Sequence, residues 1–281
     1  MSDHFGEYES LCEVTVPTKD ALVMIVPVWE GYVYARRTIE SFFKYTPADQ
    51  NPVALVLDDC SPSFKDQNWD YFYQGPPGGF PLPRDRICHR HYQQNRGLTR
   101  SWNAGLFLAK TMQAQYAIAG NADVILTPGW ERALIHQLKN GIRLVGPVTN
   151  APGLTNRQRQ NVRNFYQDYK VSDDKADLHA VADKLWQQHG PTTIREMLIN
   201  GFFTMSTVDY WWEGKHSKDH VFDPSKVMKG NEDELEVRWK RHKWRIGFAP
   251  GSFVFHYRAV SRGKKFLHTG WTRTDDPHKE I

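Results

Sequence analysis

The patterned part of the chain begins with a continuous apolar run, Leu22-Val23-Met24-Ile25-Val26-Pro27-Val28. A run this rich in β-branched residues, without polar alternation, predicts a strand buried on both faces. From Tyr32 to Tyr45 the period becomes helical. Ala35, Ile39, Phe42 and Phe43 share one face, while Arg36, Arg37, Glu40 and Lys44 point away. Val53 to Leu57 is a second buried strand, closing in Asp58-Asp59. Strand, helix, strand in this order is a parallel βαβ unit, which puts ligands at the carboxyl ends of the strands.

The Gly- and Pro-rich stretch from Gly75 to Pro83 is a loop. Beyond it the pattern predicts a strand over Arg86 to Tyr92, a helix from Thr99 to Lys110, a strand over Gln115 to Ala119 and another near Arg143 to Val148. Residues 151–195 are polar, with a helix in their second half where Leu178, Val181, Leu185 and Trp186 form a stripe. Ile199 to Trp212 is apolar and aromatic again. A helix carrying Leu235, Val237 and Trp239 and a strand at Phe253 to Phe255 follow, and after Ser261 the chain is polar and basic without a period.

At 281 residues the chain can bury a sizeable core and is expected to form one large domain. Its longest apolar run, Ala21 to Trp29, is too short to span a bilayer, and the first twenty residues show no secretory pattern. Three widely spaced cysteines argue against a disulfide framework and for a reducing, cytoplasmic setting. A net charge of +4 suits an anionic nucleotide, nucleic acid or acidic glycan. Ten tryptophans are more than a core of this size needs, so some are expected to stack on sugars or bases.

Several short clusters carry chemistry. A carboxylate at Asp58 can accept from a ribose hydroxyl or a base N–H. A Rossmann dehydrogenase is disfavoured, because Pro27-Val28-Trp29-Glu30-Gly31 stands where G-x-G-x-x-G would be needed. Asn95-Arg96-Gly97-Leu98-Thr99 opens a helix, with Asn103 in its first turns, which suits an anion site or a helix capped by Thr99. Asn121-Ala122-Asp123 follows a buried strand, and Asp123 offers a hard oxygen to a divalent cation. Glu232, Asp233 and Glu234 precede a helix. Three adjacent carboxylates repel one another, which suits one of them to accept a proton, although one or two can serve only the helix dipole. Cys88, His89 and His91 lack a second pair at zinc spacing and are read as alternating positions of a strand.

Together these residues resemble the family 2 type of inverting glycosyltransferase with a GT-A fold, an α/β architecture with a Rossmann-like, mostly parallel sheet flanked by helices. The stretches that carry the resemblance are Val26–Trp29, Leu57–Pro62, Asn95–Gly97 through Asn103–Gly105, Asn121–Asp123, Gly230–Leu235 through Arg238, and His256 with Ser261. The resemblance implies a nucleotide-binding half at 22–123, an acceptor-binding and catalytic half at 124–261, and a basic tail at 262–281. It implies that Pro27, Trp29, Asp58, Asn95, Arg96, Asn103 and Asn121 surround the nucleotide sugar, and that Asp123 and His256 hold Mn²⁺ or Mg²⁺. Gly201, Phe202 and Trp211 would border the acceptor. Asp233 would be the general base, with Glu232 taking that role if the register differs by one, and Glu234 beside them. Asn121 stands where the first carboxylate of the family's D-x-D motif is expected.

The expected activity is therefore metal-assisted transfer from a UDP-, GDP- or dTDP-linked sugar to a hydroxyl, with a glycan or glycoconjugate as acceptor. Two rivals stand beside it. Arg157, Arg159, Arg163, Arg262, Lys264, Lys265, Trp271 and Arg273 could grip DNA carrying a hydroxylated base, and such a domain could also bind a sugar without turnover.

Overall fold

A computed structural model of the chain describes residues 7–152, 159–195, 199, 201–227 and 230–257. Ten strands form one sheet: β1 (Tyr8–Cys12), β2 (Leu22–Val28), β3 (Pro52–Asp58), β4 (Ile87–Tyr92), β5 (Tyr116–Gly120), β6 (Val124–Leu126), β7 (Leu144–Val148), β8 (Ile194–Arg195), β9 (Phe203–Thr207) and β10 (Ile246–His256). The helices are α1 (Tyr32–Tyr45), α2 (Trp69–Gln74), α3 (Leu98–Thr111), α4 (Trp130–Lys139), α5 (Lys175–His189), α6 (Val208–Glu213) and α7 (Asn231–Arg241).

The strand order is β1-β4-β3-β2-β5-β9-β7-β10-β6, with β8 also on β10. The pairs β4–β3, β3–β2, β2–β5 and β7–β10 are parallel. Strand β9 runs antiparallel between β5 and β7, so β5 and β7 point the same way. Strand β10 shifts register between Ala249 and Phe253 and then pairs antiparallel with β6. That shift carries its last residue, His256, to a position opposite Val124, next to Asp123.

All seven residues of β3 are buried, as a parallel strand covered on both faces requires. Alternation along β2 separates two cores. Val23 and Ile25 pack with Trp102 and Leu106 of α3, whereas Met24 and Val26 pack with Ile39 and Phe42 of α1. Gly105 permits the first contact, since a Cβ there would lie 2.4 Å from Ile25 Cγ2.

The structure differs from the pattern in three places. Strands β1, β6 and β8 and helices α2 and α4 lie outside the expected elements, although α4 carries an apolar stripe of Trp130, Ala133, Leu134 and Leu138. The segment from Ile199 to Trp212 divides into β9 and the short helix α6. The strand expected at 253–255 is the end of the eleven-residue β10. No described helix is long and apolar enough to cross a membrane.

Candidate active site

The carboxyl ends of β2, β3 and β5 lie side by side, and the residues just past them form one wall of the site. Trp29 follows β2 and is 44% exposed, a large ring open to solvent beside the half-buried Pro27. An exposed indole at a strand end is a platform on which a base can stack.

Asp58 lies beneath this wall and is fully buried. Tyr32 Oη donates to it at 2.5 Å, Ser61 donates through Oγ (2.6 Å) and backbone N–H (2.9 Å), and His91 Nδ1 lies 2.6 Å away. The imidazole of His91 is itself stacked on Phe64 at 3.6 Å. Both oxygens are occupied, so Asp58 fixes the floor of the pocket instead of reaching a ribose as expected. The neighbouring Asp59 has a similar duty. Its carboxylate accepts from the backbone N–H of Arg96 (2.6 Å) and Gly97 (2.7 Å), and burial raises its pKa.

That contact changes the reading of the α3 entrance. The amides expected to bind an anion are held by Asp59, and the helix is capped at Gly97, with a φ of 82°, and not at Thr99. Asn95 Nδ2 donates to the Asp59 carbonyl at 3.2 Å. The Arg96 guanidinium lies 5.2 Å from the centre of the Tyr92 ring. Asn103 departs furthest from expectation. It is buried, donates to Phe222 O (3.0 Å) and accepts from the N–H groups of Val221 and Phe222. Its amide ties segment 221–222 to α3 and is buried there instead of facing a nucleotide.

The opposite wall brings together residues separated by more than a hundred positions. His256 Nε2 lies 3.3 Å from Asp123 Oδ1 and 3.4 Å from Asn121 Nδ2. Its Nδ1 lies 3.3 Å from the Ala151 carbonyl, and its ring is stacked on Phe202 at 4.8 Å and 14°. A carbonyl can only accept, so Nδ1 donates to it and Nε2 is the ring nitrogen that faces the Asp123 carboxylate. With Nε2 unprotonated, one imidazole nitrogen and one hard oxygen side by side are a donor set that suits Mn²⁺ or Mg²⁺. Asn150 and Thr38 brace the pair from behind. Asn150 Oδ1 accepts from His256 N at 2.8 Å, and Thr38 Oγ1 bonds the Ala122 carbonyl and the Val124 backbone. Among the described residues there is no cluster of three or more His, Cys, Asp or Glu that could hold a metal, and Asp123 and His256 form a pair.

The acidic cluster occupies the first turn of α7, whose N-cap is Gly230 at a φ of 75°. Its three members part ways. Glu232 packs against Gly201, where a Cβ would meet the carboxyl carbon at 2.7 Å. Glu234 is held by Arg238, with Nε at 2.9 Å and a second nitrogen at 3.2 Å, so it is a clamp and not a free base. Asp233 shares its helix face with Val237, which is 45% exposed. Gly201 and Phe202 form a short bridge, with Glu232 on one side and His256 on the other. Asn121 N–H donates to Phe202 O at 2.9 Å and holds that bridge to the Asp123–His256 pair.

Trp211 does not border an acceptor. It is fully buried against Trp239 and Phe222, and its Nε1 donates to Ala117 O at 3.0 Å. Phe202, 5% exposed, orients His256 more than it offers a surface. Cys88 and His89 do lie on opposite faces of β4, and burial pushes the His89 pKa down to about 3. Arg157, Ser261 and the whole basic tail lie outside the described residues. The sequence reading singled out neither Tyr32 nor Asn150 and gave Asp59 and His91 no part in holding the site, because these roles arise only from partners distant in the chain.

No family model matches the chain, and no curated protein matches it in sequence. Solved structures do. One is GalNAc-T7 with UDP, GalNAc and Mn²⁺, superposing with a TM-score of 0.58 at 15% identity over 84% of this chain and 43% of that one. Another is the mannosyltransferase PcManGT from Pyrobaculum calidifontis with GDP-Man and Mn²⁺, at a TM-score of 0.54 and 12% identity, covering 87% and 59%. The chain has the GT-A fold. It spans about half the length of these two proteins. The residues of this chain that stand as candidates for a site on that fold are Trp29, the Asp123–His256 pair and the first turn of α7.

Proposed function

We propose that the chain is a glycosyltransferase that moves a sugar from a nucleoside-diphosphate sugar to an acceptor hydroxyl with inversion at the anomeric carbon. The observation that carries this reading is the convergence of Asp123 and His256 on one point at the carboxyl end of the sheet, with Phe202 and Gly201 leading from it to Glu232. Both structural neighbours are transferases whose complexes contain Mn²⁺ and a nucleotide or nucleotide sugar, which supports the same class of donor.

In this reading Trp29 and Pro27 receive the base, over a floor set by Asp58 and its three partners. Asp123 and His256 would hold a divalent cation, which supplies charge neutralisation for a departing diphosphate. Glu232 takes the proton from the acceptor hydroxyl, and Asp233 is the second choice, because Glu232 is the member that packs on the segment leading to His256. The acceptor oxygen then forms the new bond as the nucleoside diphosphate leaves from the opposite side. The acceptor class we favour is a glycan or glycoconjugate, with a hydroxylated base in DNA as the alternative.

A thermal-shift panel of UDP-, GDP- and dTDP-sugars with and without Mn²⁺ tests the reading, because a ligand that binds the folded state stabilises it by mass action. One nucleotide sugar is expected to raise the melting temperature only with metal, and to release free nucleoside diphosphate when an acceptor is added. Stabilisation by none of them would overturn the proposal.

A further inference from the structure

The turn that carries Trp29 has a conformation that its own sequence disfavours. Val28 and Asp58 end β2 and β3 side by side, so the turn after β2 runs next to the turn after β3. Glu30 takes a φ of 59°, in the left-handed region that a residue with a Cβ avoids, and Gly31 follows at 68°. Glycine would adopt this conformation freely at position 30, whereas glutamate keeps it only where its surroundings hold it there.

Those surroundings are specific. Glu30 N–H donates to Ser61 Oγ at 2.8 Å, and Ser61 Oγ donates in turn to Asp58 Oδ2. The Glu30 carboxylate accepts twice from Ser63, from its backbone N–H at 2.8 Å and from its Oγ at 2.6 Å. Ser63 lies in the short 3₁₀ helix Pro62–Asp66, whose N-cap Ser61 makes no side-chain capping bond, so Glu30 caps that helix from the neighbouring turn. Asp59 N–H donates to Val28 O at 2.7 Å, and Tyr32 Oη to Asp58. These bonds fasten the chain on both sides of Trp29 and do not involve its indole, which stays exposed. A ring on a turn fixed in this way is preorganised for a ligand, because little freedom is left to lose on binding. We propose that Glu30 is a positioning residue of the donor site: through Ser63 it holds the Trp29–Gly31 turn, and with it the face that Trp29 offers to the base of a nucleoside diphosphate. This role rests on the reading of Trp29 as the base platform, and it gives the neighbouring carboxylate a share in affinity without contact to the ligand.

Isothermal titration of the full chain with UDP, GDP, dTDP and inorganic diphosphate, each with Mn²⁺, separates base recognition from diphosphate binding. Trp29→Ala, Glu30→Gly and Glu30→Gln are compared with the wild type, with melting curves confirming that each folds. Glu30→Gly keeps the left-handed turn accessible and removes the carboxylate contacts. Glu30→Gln can restore them, since its amide oxygen accepts from Ser63 N–H and its NH₂ donates to Ser63 Oγ. At least one nucleoside diphosphate is expected to bind the wild type more tightly than inorganic diphosphate does, and Trp29→Ala to abolish that difference. Glu30→Gly should weaken the same nucleoside diphosphate about tenfold and leave inorganic diphosphate unchanged, with most of the loss recovered in Glu30→Gln. Equal weakening of both ligands in Glu30→Gly, or no weakening where Trp29→Ala shows it, would overturn the role of Glu30 alone. Full affinity in Trp29→Ala, or a wild type that prefers no nucleoside diphosphate to inorganic diphosphate, would overturn the reading of Trp29 and this role with it.

Discussion

Thr99 Oγ1 accepts a 2.9 Å hydrogen bond from Asn231 Nδ2, and both residues are fully buried. The bond joins the entrance of α3 to the first turn of α7, which carries the acidic cluster. Asn231 Oδ1 in turn accepts from Glu232 N at 2.9 Å, and Thr99 Oγ1 also donates to the Lys226 carbonyl. With Asp59 fixing the Arg96 and Gly97 amides, a continuous path runs from the end of β3 to the backbone of Glu232. Asn231→Ala is therefore expected to lower turnover by about 10- to 100-fold through misplacement of the carboxylate, with little change in donor KM. A rise in donor KM with unchanged kcat would assign the bond to nucleotide binding instead.

The Asp123–His256 pair gives a sharper outcome. EDTA should abolish transfer and Mn²⁺ or Mg²⁺ restore it. Asp123→Ala and His256→Ala should each abolish the thermal shift that a nucleotide sugar produces with metal. Full activity in EDTA would mean that arginine side chains alone carry the diphosphate charge.

For the base, Glu232→Gln keeps the shape of the side chain but cannot accept the proton, and it should cut turnover by about 10²–10⁴ with donor binding intact. Asp233→Asn should cost much less. The reverse order would move the base by one position, and equal activity of both variants would remove the carboxylate mechanism altogether. Glu234→Gln should act on stability through the lost pairing with Arg238, which also donates to the Val221 carbonyl at 2.8 Å.

Trp211→Ala separates a core residue from an acceptor contact. The side chain is fully buried, so its removal should cost about 3–5 kcal/mol in urea unfolding. Acceptor KM should stay unchanged at temperatures where the variant remains folded.

The buried His89 predicts a pH dependence. Its pKa falls from 6.5 to about 3 through burial and the neighbouring His91. The folded chain keeps this ring neutral while the unfolded chain protonates it below pH 6.5. Its contribution is thus complete above that pH and is lost as the pH drops toward 3. Between pH 6.5 and 5 the loss should reach about 2 kcal/mol. His89→Gln should flatten that part of the stability curve, and an unchanged slope would assign the titration to other groups.

The sequence alone determined the parallel core. Runs such as Leu22 to Val28 and Val53 to Leu57 have no other stable setting than between two layers of helices, and the 3.6-residue stripe of α1 follows from Ala35, Ile39 and Phe42 alone. The same local signals placed Asp123 at a strand end and the acids at a helix start. They could not tell a carboxylate that faces a ligand from one that faces its own chain, because that depends on partners dozens of positions away. Tyr32 and His91 withdraw Asp58, segment 221–222 withdraws Asn103, Trp239 withdraws Trp211, and Arg238 withdraws Glu234. Nor could they pair His256 with Asp123. That meeting rests on the register shift in β10, which turns the strand from β7 onto β6, and a shift of this kind is set by the packing of both neighbours and not by the residues of the strand itself.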